Sequence, residues 1–168
     1  MARPELRVRF TKQTDGTVVL HCRRRDGSET HRKHVRHASF FVHHDLAHFA
    51  VETELGLRRG FYGLLADGWD IPDTEGRGLR GKLPPEAVVV EHVVSLFDRE
   101  RSGGNEPLDA GSFHEQLGQM VASSGLSAPP RFGDAQLAAV RARADALHRS
   151  WSELPAGETL ELPFGRGL

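Results

Sequence analysis

Two histidines one helical turn apart form the pattern in this sequence that best fits a reactive site. His44 and His48 lie in the stretch FFVHHDLAHFAVETELGL, residues 40–57, together with Asp45 and Glu52. In an α-helix, residues i and i+4 project from the same side, about 6 Å apart along the axis. Two imidazoles with this spacing can bind one divalent cation, and zinc is the first expectation.

The same stretch places a polar arc on a helix that is otherwise apolar. At 100° of rotation per residue, six side chains fall on one arc roughly 100° wide. These are Phe41, His44, Asp45, His48, Glu52 and Leu55. Apolar residues border this arc, so it is predicted to be at least half buried, whereas the face with Ala47 and Glu54 is predicted to face solvent. Buried polar groups need partners, because an unpaired one costs about 1–3 kcal/mol.

A third metal ligand has to come from another segment. His44 and Glu52 are two turns apart, about 12 Å along the helix axis, so they cannot share an ion with His48 between them. The polar pair Glu91–His92, in the apolar segment AVVVEHVVSLF, is the first choice for the facing half of the site, with His92 as the metal ligand. The other candidate ligands are His34, His37, Asp67, Asp70 and His114.

The string HDLAH resembles two known metal-binding helices. It is similar to the HExxH helix of zinc metalloproteases, with Asp45 in place of the glutamate that acts as general base. It is also similar to the HDxxH metal signature of a coenzyme Q biosynthesis protein family, whose motif continues with a glutamate at the position of Gly60. Each resemblance covers the motif only, and each implies a metal on His44 and His48.

Three roles fit this helix. In a small metal-dependent enzyme, with hydrolysis as its reaction class, His44 and His48 would bind a divalent ion that activates a water molecule, and His92 or an acidic residue from another segment would be the third ligand. Asp45 or Glu52 would then be the general base, or would accept a hydrogen bond from a ligand histidine. The second role is acid–base chemistry without a metal. The third is a hydrogen-bond network that only orients the helix, in a non-enzymatic bacterial protein that binds a partner protein or forms a homodimer. The sequence names no small-molecule substrate.

The composition describes one domain of ordinary charge. The chain has 168 residues, of which 27% are charged, and a formal net charge of -1, so a nucleic-acid partner is not expected. One cysteine, Cys22, excludes an internal disulfide and a multi-cysteine zinc site, and is predicted to be a core residue. No apolar run approaches the roughly 20 residues of a membrane span. Without a signal sequence in the first residues, a cytoplasmic location and no membrane partner are expected.

Alternating apolar residues predict an α+β fold in a single domain. Strands are predicted at 5–13, 17–24 and 29–37, joined by turns at Asp15–Gly16 and Asp26–Gly27. Residues 1–38 would form a three-stranded antiparallel meander, residues 39–156 a helical part, and residues 157–168 a strand that returns to the sheet.

About four helices are predicted between the meander and the last strand. Ser39 should cap the central helix and Gly56 end it, and this helix should pack against a second one, Pro84–Arg101. A capping box at Ser112 predicts a third helix, and Asp134 should cap the last. The glycine-rich residues 65–83 are predicted to be a long loop, either a lid over the site or a plain connection.

The segment 23–37 is locally basic. It carries six Arg and Lys side chains against Asp26 and Glu29, with His31, His34 and His37 at spacings of three. Such a segment fits either a phosphate-binding patch or a sheet edge protected by charges. Because no aromatic side chains interleave to stack on bases, the edge strand is the favoured interpretation.

Overall fold

The computed structural model of the protein describes residues 4–104, 106–127 and 130–165. These form four antiparallel strands in the order β3-β2-β1-β4, and six helices. The strands are β1 (Leu6–Lys12), β2 (Val18–Arg24), β3 (Glu29–His34) and β4 (Thr159–Phe164). The helices are α1 (Ala38–Glu54), α2 (Phe61–Ala66), α3 (Ile71–Thr74), α4 (Pro85–Gly103), α5 (Ala110–Ser123) and α6 (Asp134–Glu153).

The predicted α+β class, the N-terminal meander and the returning C-terminal strand are confirmed. Residues 1–3 of the predicted meander and residues 166–168 of the predicted last strand lie outside the described residues. Strand β3 ends at His34, three residues before its predicted end. The sheet register follows from the alternation of apolar side chains, since a slip by one residue would move every apolar side chain to the outer face.

The buried face of the sheet is continuous across the strands. Leu6, Val8 and Phe10 of β1 are fully buried, and Leu6 pairs in register with Phe164 of β4. Cys22 lies in the same layer, as predicted for a core residue, and burial raises the pKa of its thiol. The helices cover this face and leave the opposite face of the sheet to solvent.

Helix α1 lies at the centre of the helical layer and contacts both α4 and α6. Its predicted packing against α4 is therefore confirmed. All residues from Asp45 to Glu52 are buried, including Ala47 at 4% exposure, so the prediction that Ala47 faces solvent is wrong. Helix α6 packs against this side of α1. An alanine is common both on buried and on exposed helix faces, so its identity did not predict this contact. Among the described residues, no helix combines the length and the apolar character needed to cross a membrane.

The ends of α1 show one wrong and one correct prediction. Ser39 does not cap the helix, because His37 takes the cap position with a left-handed φ of 52° and no side-chain hydrogen bond. At the other end Gly56 has a φ of 64°, which lets the Leu57 N–H donate to the carbonyl of Glu52 at 3.1 Å. This is the glycine-terminated helix end that the sequence predicts.

Two other helix starts differ from the predictions. The carboxylate of Asp109 accepts a hydrogen bond from the Ser112 N–H at 2.7 Å, so α5 begins before the predicted capping residue. Asp134 is the first residue of α6 rather than its cap, and its carboxylate accepts from the Ala110 N–H at 2.7 Å. That carboxylate joins the starts of α5 and α6 instead of ending one helix.

Residues 65–83 are not a single loop. They contain the end of α2 and the short helix α3, where Asp70 and Asp73 form a capping box. Arg24 of β2 holds this segment by donating to the carbonyl of Leu65 at 2.7 Å and to the carboxylate of Asp70 at 2.8 Å. Residues 67–70, between the two helices, and the part after α3 lack regular structure, and Leu79 in the latter is fully exposed.

A buried histidine lies where α1, α4 and α6 meet. His148 Nδ1 accepts a hydrogen bond from Arg101 at 2.6 Å, and His148 Nε2–H donates to the carbonyl of His43 at 3.3 Å. Burial, and then the positive charge of Arg101, lowers the pKa of His148 from 6.5 to about 4. The folded chain therefore keeps this imidazole neutral at a pH where the unfolded chain would protonate it.

We expect the free energy of unfolding to fall as the pH decreases from 6.5 to about 4. In that window the unfolded chain takes up a proton on His148 and the folded chain does not, so acid favours unfolding. Denaturant titrations at several pH values measure the slope. His148→Gln should be less sensitive to acid than the wild type, and equal slopes for the two proteins would contradict this role.

Candidate metal centre

Helices α1 and α4 bring three metal-ligating side chains together. His44, His48 and Glu91 each offer one ligand atom, and these atoms lie within 4.8 Å of one another. His48 Nε2 is 3.0 Å from Glu91 Oε1, and His44 Nε2 is 3.8 Å from Glu91 Oε2. The predicted convergence of the two imidazoles with polar groups from a second segment is therefore found in the fold.

The first imidazole, His48, is fixed by a buried carboxylate behind it. Its Nδ1–H donates to Glu52 Oε1 at 3.2 Å, so Nε2 is the nitrogen that points to Glu91. Glu52 is itself held by the backbone N–H groups of Tyr62 at 3.2 Å and Gly63 at 3.0 Å, where α2 begins. The carboxylate thus ties the orientation of His48 to the start of α2.

The second imidazole, His44, has the same arrangement with a carboxylate from α4. Its Nδ1–H donates to Asp98 Oδ2 at 2.9 Å, which again leaves Nε2 toward Glu91. A hydrogen-bond acceptor on the far nitrogen fixes the tautomer of a ligand histidine and increases its basicity, and metal-ligating histidines almost always donate to a carboxylate, a backbone carbonyl or a water. Both histidines of this site donate to a carboxylate.

Without a cation, His48 carries the positive charge of the site. Burial lowers its pKa, but the hydrogen bonds to Glu52 and Glu91 outweigh burial and raise the pKa from 6.5 to about 10. For Glu91 the order is reversed, because burial raises its pKa and the hydrogen bond from His48 outweighs this and lowers it. A proton on His48 therefore supplies the positive charge between Glu52 and Glu91.

The donor set fits a divalent transition metal. Two imidazole nitrogens and one glutamate oxygen are the protein ligands of one class of catalytic zinc sites. A tetrahedral zinc with bonds of about 2.0–2.1 Å holds its ligand atoms about 3.3 Å apart. Glu91 lies 3.0 and 3.8 Å from the two imidazoles, and the whole set lies within 4.8 Å, so small side-chain movements would bring the three groups to that spacing. The side chain of His48 is 2% exposed, but those of His44 and Glu91 are 30% and 46% exposed, so solvent reaches one side of the site.

Asp45, predicted as a catalytic residue, has partners on the sheet. Its carboxylate lies 3.2 Å from Arg32 Nη2 and 3.4 Å from His34 Nε2, both on β3. It is 3% exposed, and its backbone carbonyl accepts from the Tyr62 hydroxyl at 2.9 Å. One residue, or 100° of helix, therefore separates a side chain facing α4 from one that anchors α1 to the sheet.

The structure does not bring His92 to the three-residue group. His92 Nε2 lies 2.8 Å from the Ser124 hydroxyl at the end of α5, and its neighbour Glu91 faces the histidines instead. The predicted general base Glu52 is buried behind His48 as a hydrogen-bond acceptor, the second role that the sequence allowed. Among the other candidate ligands, His34 lies beside Asp45, His114 accepts from the Phe132 N–H, and Asp70 pairs with Arg24.

Helical periodicity carries the signal for Glu91 and Asp98. Seven residues are nearly two full turns, so these two carboxylates share one side of α4, at the spacing needed to face His44 and His48 on α1. His92 lies 100° away from that side. The spacing of carboxylates on the second helix was therefore a better guide to the third ligand than the presence of another histidine.

Comparison with models of protein families, with curated proteins and with solved structures finds no match to this chain.

Proposed function

We propose that this protein is a small metal-dependent enzyme, with hydrolysis as its reaction class, that binds one divalent cation through His44, His48 and Glu91. Zinc is the first expectation for this donor set. The observation that supports the proposal most strongly is the pair of carboxylates, Asp98 and Glu52, that turn the Nε2 atoms of both histidines toward Glu91. This arrangement is more than a nearby group of polar side chains, because it orients each ligand.

The ligands and their carboxylate partners would each have one role in this enzyme. A bound divalent ion would act as a Lewis acid and lower the pKa of a water molecule toward neutrality. Asp98 and Glu52 hold the imidazoles in the ligating tautomer, and the exposed side of His44 and Glu91 admits substrate. Since a histidine ligand must be neutral, His48 would have to give up its Nε2 proton to serve as a ligand, while its Nδ1–H stays on Glu52.

A second candidate function rests on the same distances. His48 lies between Glu52 and Glu91 at hydrogen-bonding distance from both, so a protonated imidazole satisfies the network without any metal. In that case the cluster would only join α1 to α4 and α2, in a protein that acts by binding a partner. The two candidates differ in whether the purified chain holds a metal.

Metal analysis of the purified protein tests the proposal. We expect about one divalent ion per chain in the wild type, and none in His44→Ala, whose partly exposed side chain can be removed without opening the core. Asp98→Asn should weaken metal affinity by about 10–100-fold, because it removes the partner of a ligand histidine. Far-UV circular dichroism checks that both variants are folded.

The control is Asp145→Asn, which removes an exposed carboxylate that the structure places beside the same cavity as Asp98 but away from the ligands. It should leave the metal content unchanged. Wild-type protein that takes up no divalent ion under any loading condition would overturn the metal proposal and favour the structural network. A metal-loaded protein inactive on ester, amide and phosphate substrates would keep the metal site and reject hydrolysis.

A further inference from the structure

Strand β3 has a free edge whose backbone groups can be assigned. The Arg24 N–H donates to the carbonyl of Ser28 at 2.9 Å where β2 turns into β3. Hydrogen-bonded pairs alternate along an antiparallel ladder, so the even-numbered residues of β3 make the bonds to β2. Among the described residues β2 is the only strand beside β3. The N–H and C=O groups at the free edge belong to Glu29, His31 and Lys33.

The opposite edge of the sheet is closed by a proline. The Lys12 N–H donates to the carbonyl of Glu158 at 3.0 Å, so the even-numbered residues of β4 bond to β1 and the odd-numbered ones face the free edge. Pro163 is one of these, and it has no N–H to donate. Strand β3 contains no proline, so it is the edge at which another strand can add.

The outward side chains of β3 are complementary in charge to those of a second, antiparallel copy of the same strand. Glu29, His31 and Lys33 are all exposed and carry the charge order negative, neutral, positive. If a second copy of β3 pairs antiparallel about a two-fold axis at His31, Glu29 lies opposite the partner's Lys33, and the same pair forms again across the axis. Glu29 also lies 3.1 Å from His21 and 3.5 Å from Arg23 on β2, and its side chain is still 47% exposed on the outer face.

Exposed apolar side chains follow this edge directly. The large apolar residues left exposed in the described chain are Val35, Phe40, Phe41 and Leu79, and the first three come within seven residues of the end of β3. Val35 is 66% exposed and directly follows the last residue of β3. Pairing of two edges would bring part of this surface out of water, which favours association.

We propose that two copies of this chain associate through β3, antiparallel about a two-fold axis at His31, so that their sheets join into one. The backbone groups of the free edges supply the hydrogen bonds, and the two Glu29–Lys33 pairs set the register. A peptide from another protein could form the same backbone hydrogen bonds with this edge. A second copy is the occupant that the charge order specifies, since antiparallel pairing about His31 sets Glu29 opposite Lys33 at both ends of the strand.

Charge exchange across the axis tests this interface by sedimentation equilibrium. The wild type should be a dimer, and Glu29→Lys or Lys33→Glu should each raise the dissociation constant about tenfold or more, because like charges then face each other twice. The double variant with both changes should dimerise again. A mixture of the two single variants should form heterodimers, since both facing pairs are then of opposite charge.

Glu161→Lys is the control, because it alters an exposed glutamate on β4, at the other edge of the sheet. It should leave the dimer intact. A wild-type protein that stays monomeric at its highest soluble concentration would overturn the proposal, as would a dimer that both single charge variants leave unchanged. None of these residues contacts the histidine cluster, so the outcome is independent of metal content.

Discussion

Glu91→Gln is expected to weaken binding of a divalent cation by more than the roughly 100-fold that follows loss of a ligand's hydrogen-bond partner. The carboxylate of Glu91 is the negative group among the three ligating side chains, and an amide oxygen is a much poorer ligand for zinc. The side chain of Glu91 is 46% exposed, so the amide of the variant stays in contact with solvent, and we expect the variant to fold. Competition with a chromophoric zinc chelator measures the affinity.

The adjacent residue supplies the matched control for this experiment. His92→Gln changes a histidine in the same turn of α4 whose partner is the Ser124 hydroxyl. It should leave zinc affinity within about twofold of the wild type, which is far smaller than the effect of losing any ligand. Equal losses of affinity in both variants would contradict the assignment of Glu91 as the ligand, and a larger loss in His92→Gln would restore the ligand set predicted from sequence.

Glu52→Ala is expected to cost about 3–5 kcal/mol in free energy of unfolding, the scale for removing one member of a buried ion pair. The substitution leaves three buried donors without their acceptor, namely His48 Nδ1–H and the backbone N–H groups of Tyr62 and Gly63. The metal-free protein is the form to measure, since a bound ion would stabilise the native state separately. Chemical denaturation followed by tryptophan fluorescence gives the value.

A second variant displaces the Glu52 carboxylate without changing the residue itself. A Cβ on Gly60 would lie 2.4 Å from Glu52 Cδ, so Gly60→Ala has to displace the carboxylate and should cost about 1–3 kcal/mol. Gly118→Ala, in α5 with no atom within 4 Å of the added methyl, should instead stabilise by roughly 0.5–1 kcal/mol. A Glu52→Ala variant as stable as the wild type, or equal effects at the two glycines, would show that this carboxylate does not hold α1 to α2.

The periodicity of the sequence predicts the layout of the fold well. Alternation in β1 and the last strand predicts elements whose apolar sides lie against the core, as does the spacing of three and four in the last helix (Leu137, Val140, Ala144, Leu147 and Trp151). The structure places these sides there, with Ala144 and Leu160 only partly buried. The helix starts were less predictable. Asp109, rather than Ser112, caps α5, because several polar residues near a helix start can serve as its cap and sequence spacing does not choose among them.

For the candidate site, local spacing determined one half of the cluster. The i, i+4 relation places His44 and His48 on one side of α1 whatever packs against it. It also rules out Glu52 as a ligand of the same ion, and the structure places that carboxylate on the other nitrogen of His48. What local spacing leaves open is how a second helix is rotated about its own axis, and so whether Glu91 or His92 faces the pair.

The sequence by itself therefore determined the α+β class, the meander, the long helices and the two imidazoles that share a side of α1. The tertiary structure decided that Glu91 and Asp98 complete the cluster and that Asp45 instead joins β3. The physical reason is that side-chain direction within a helix follows from its fixed turn, whereas the facing of two helices depends on the packing of all their side chains together.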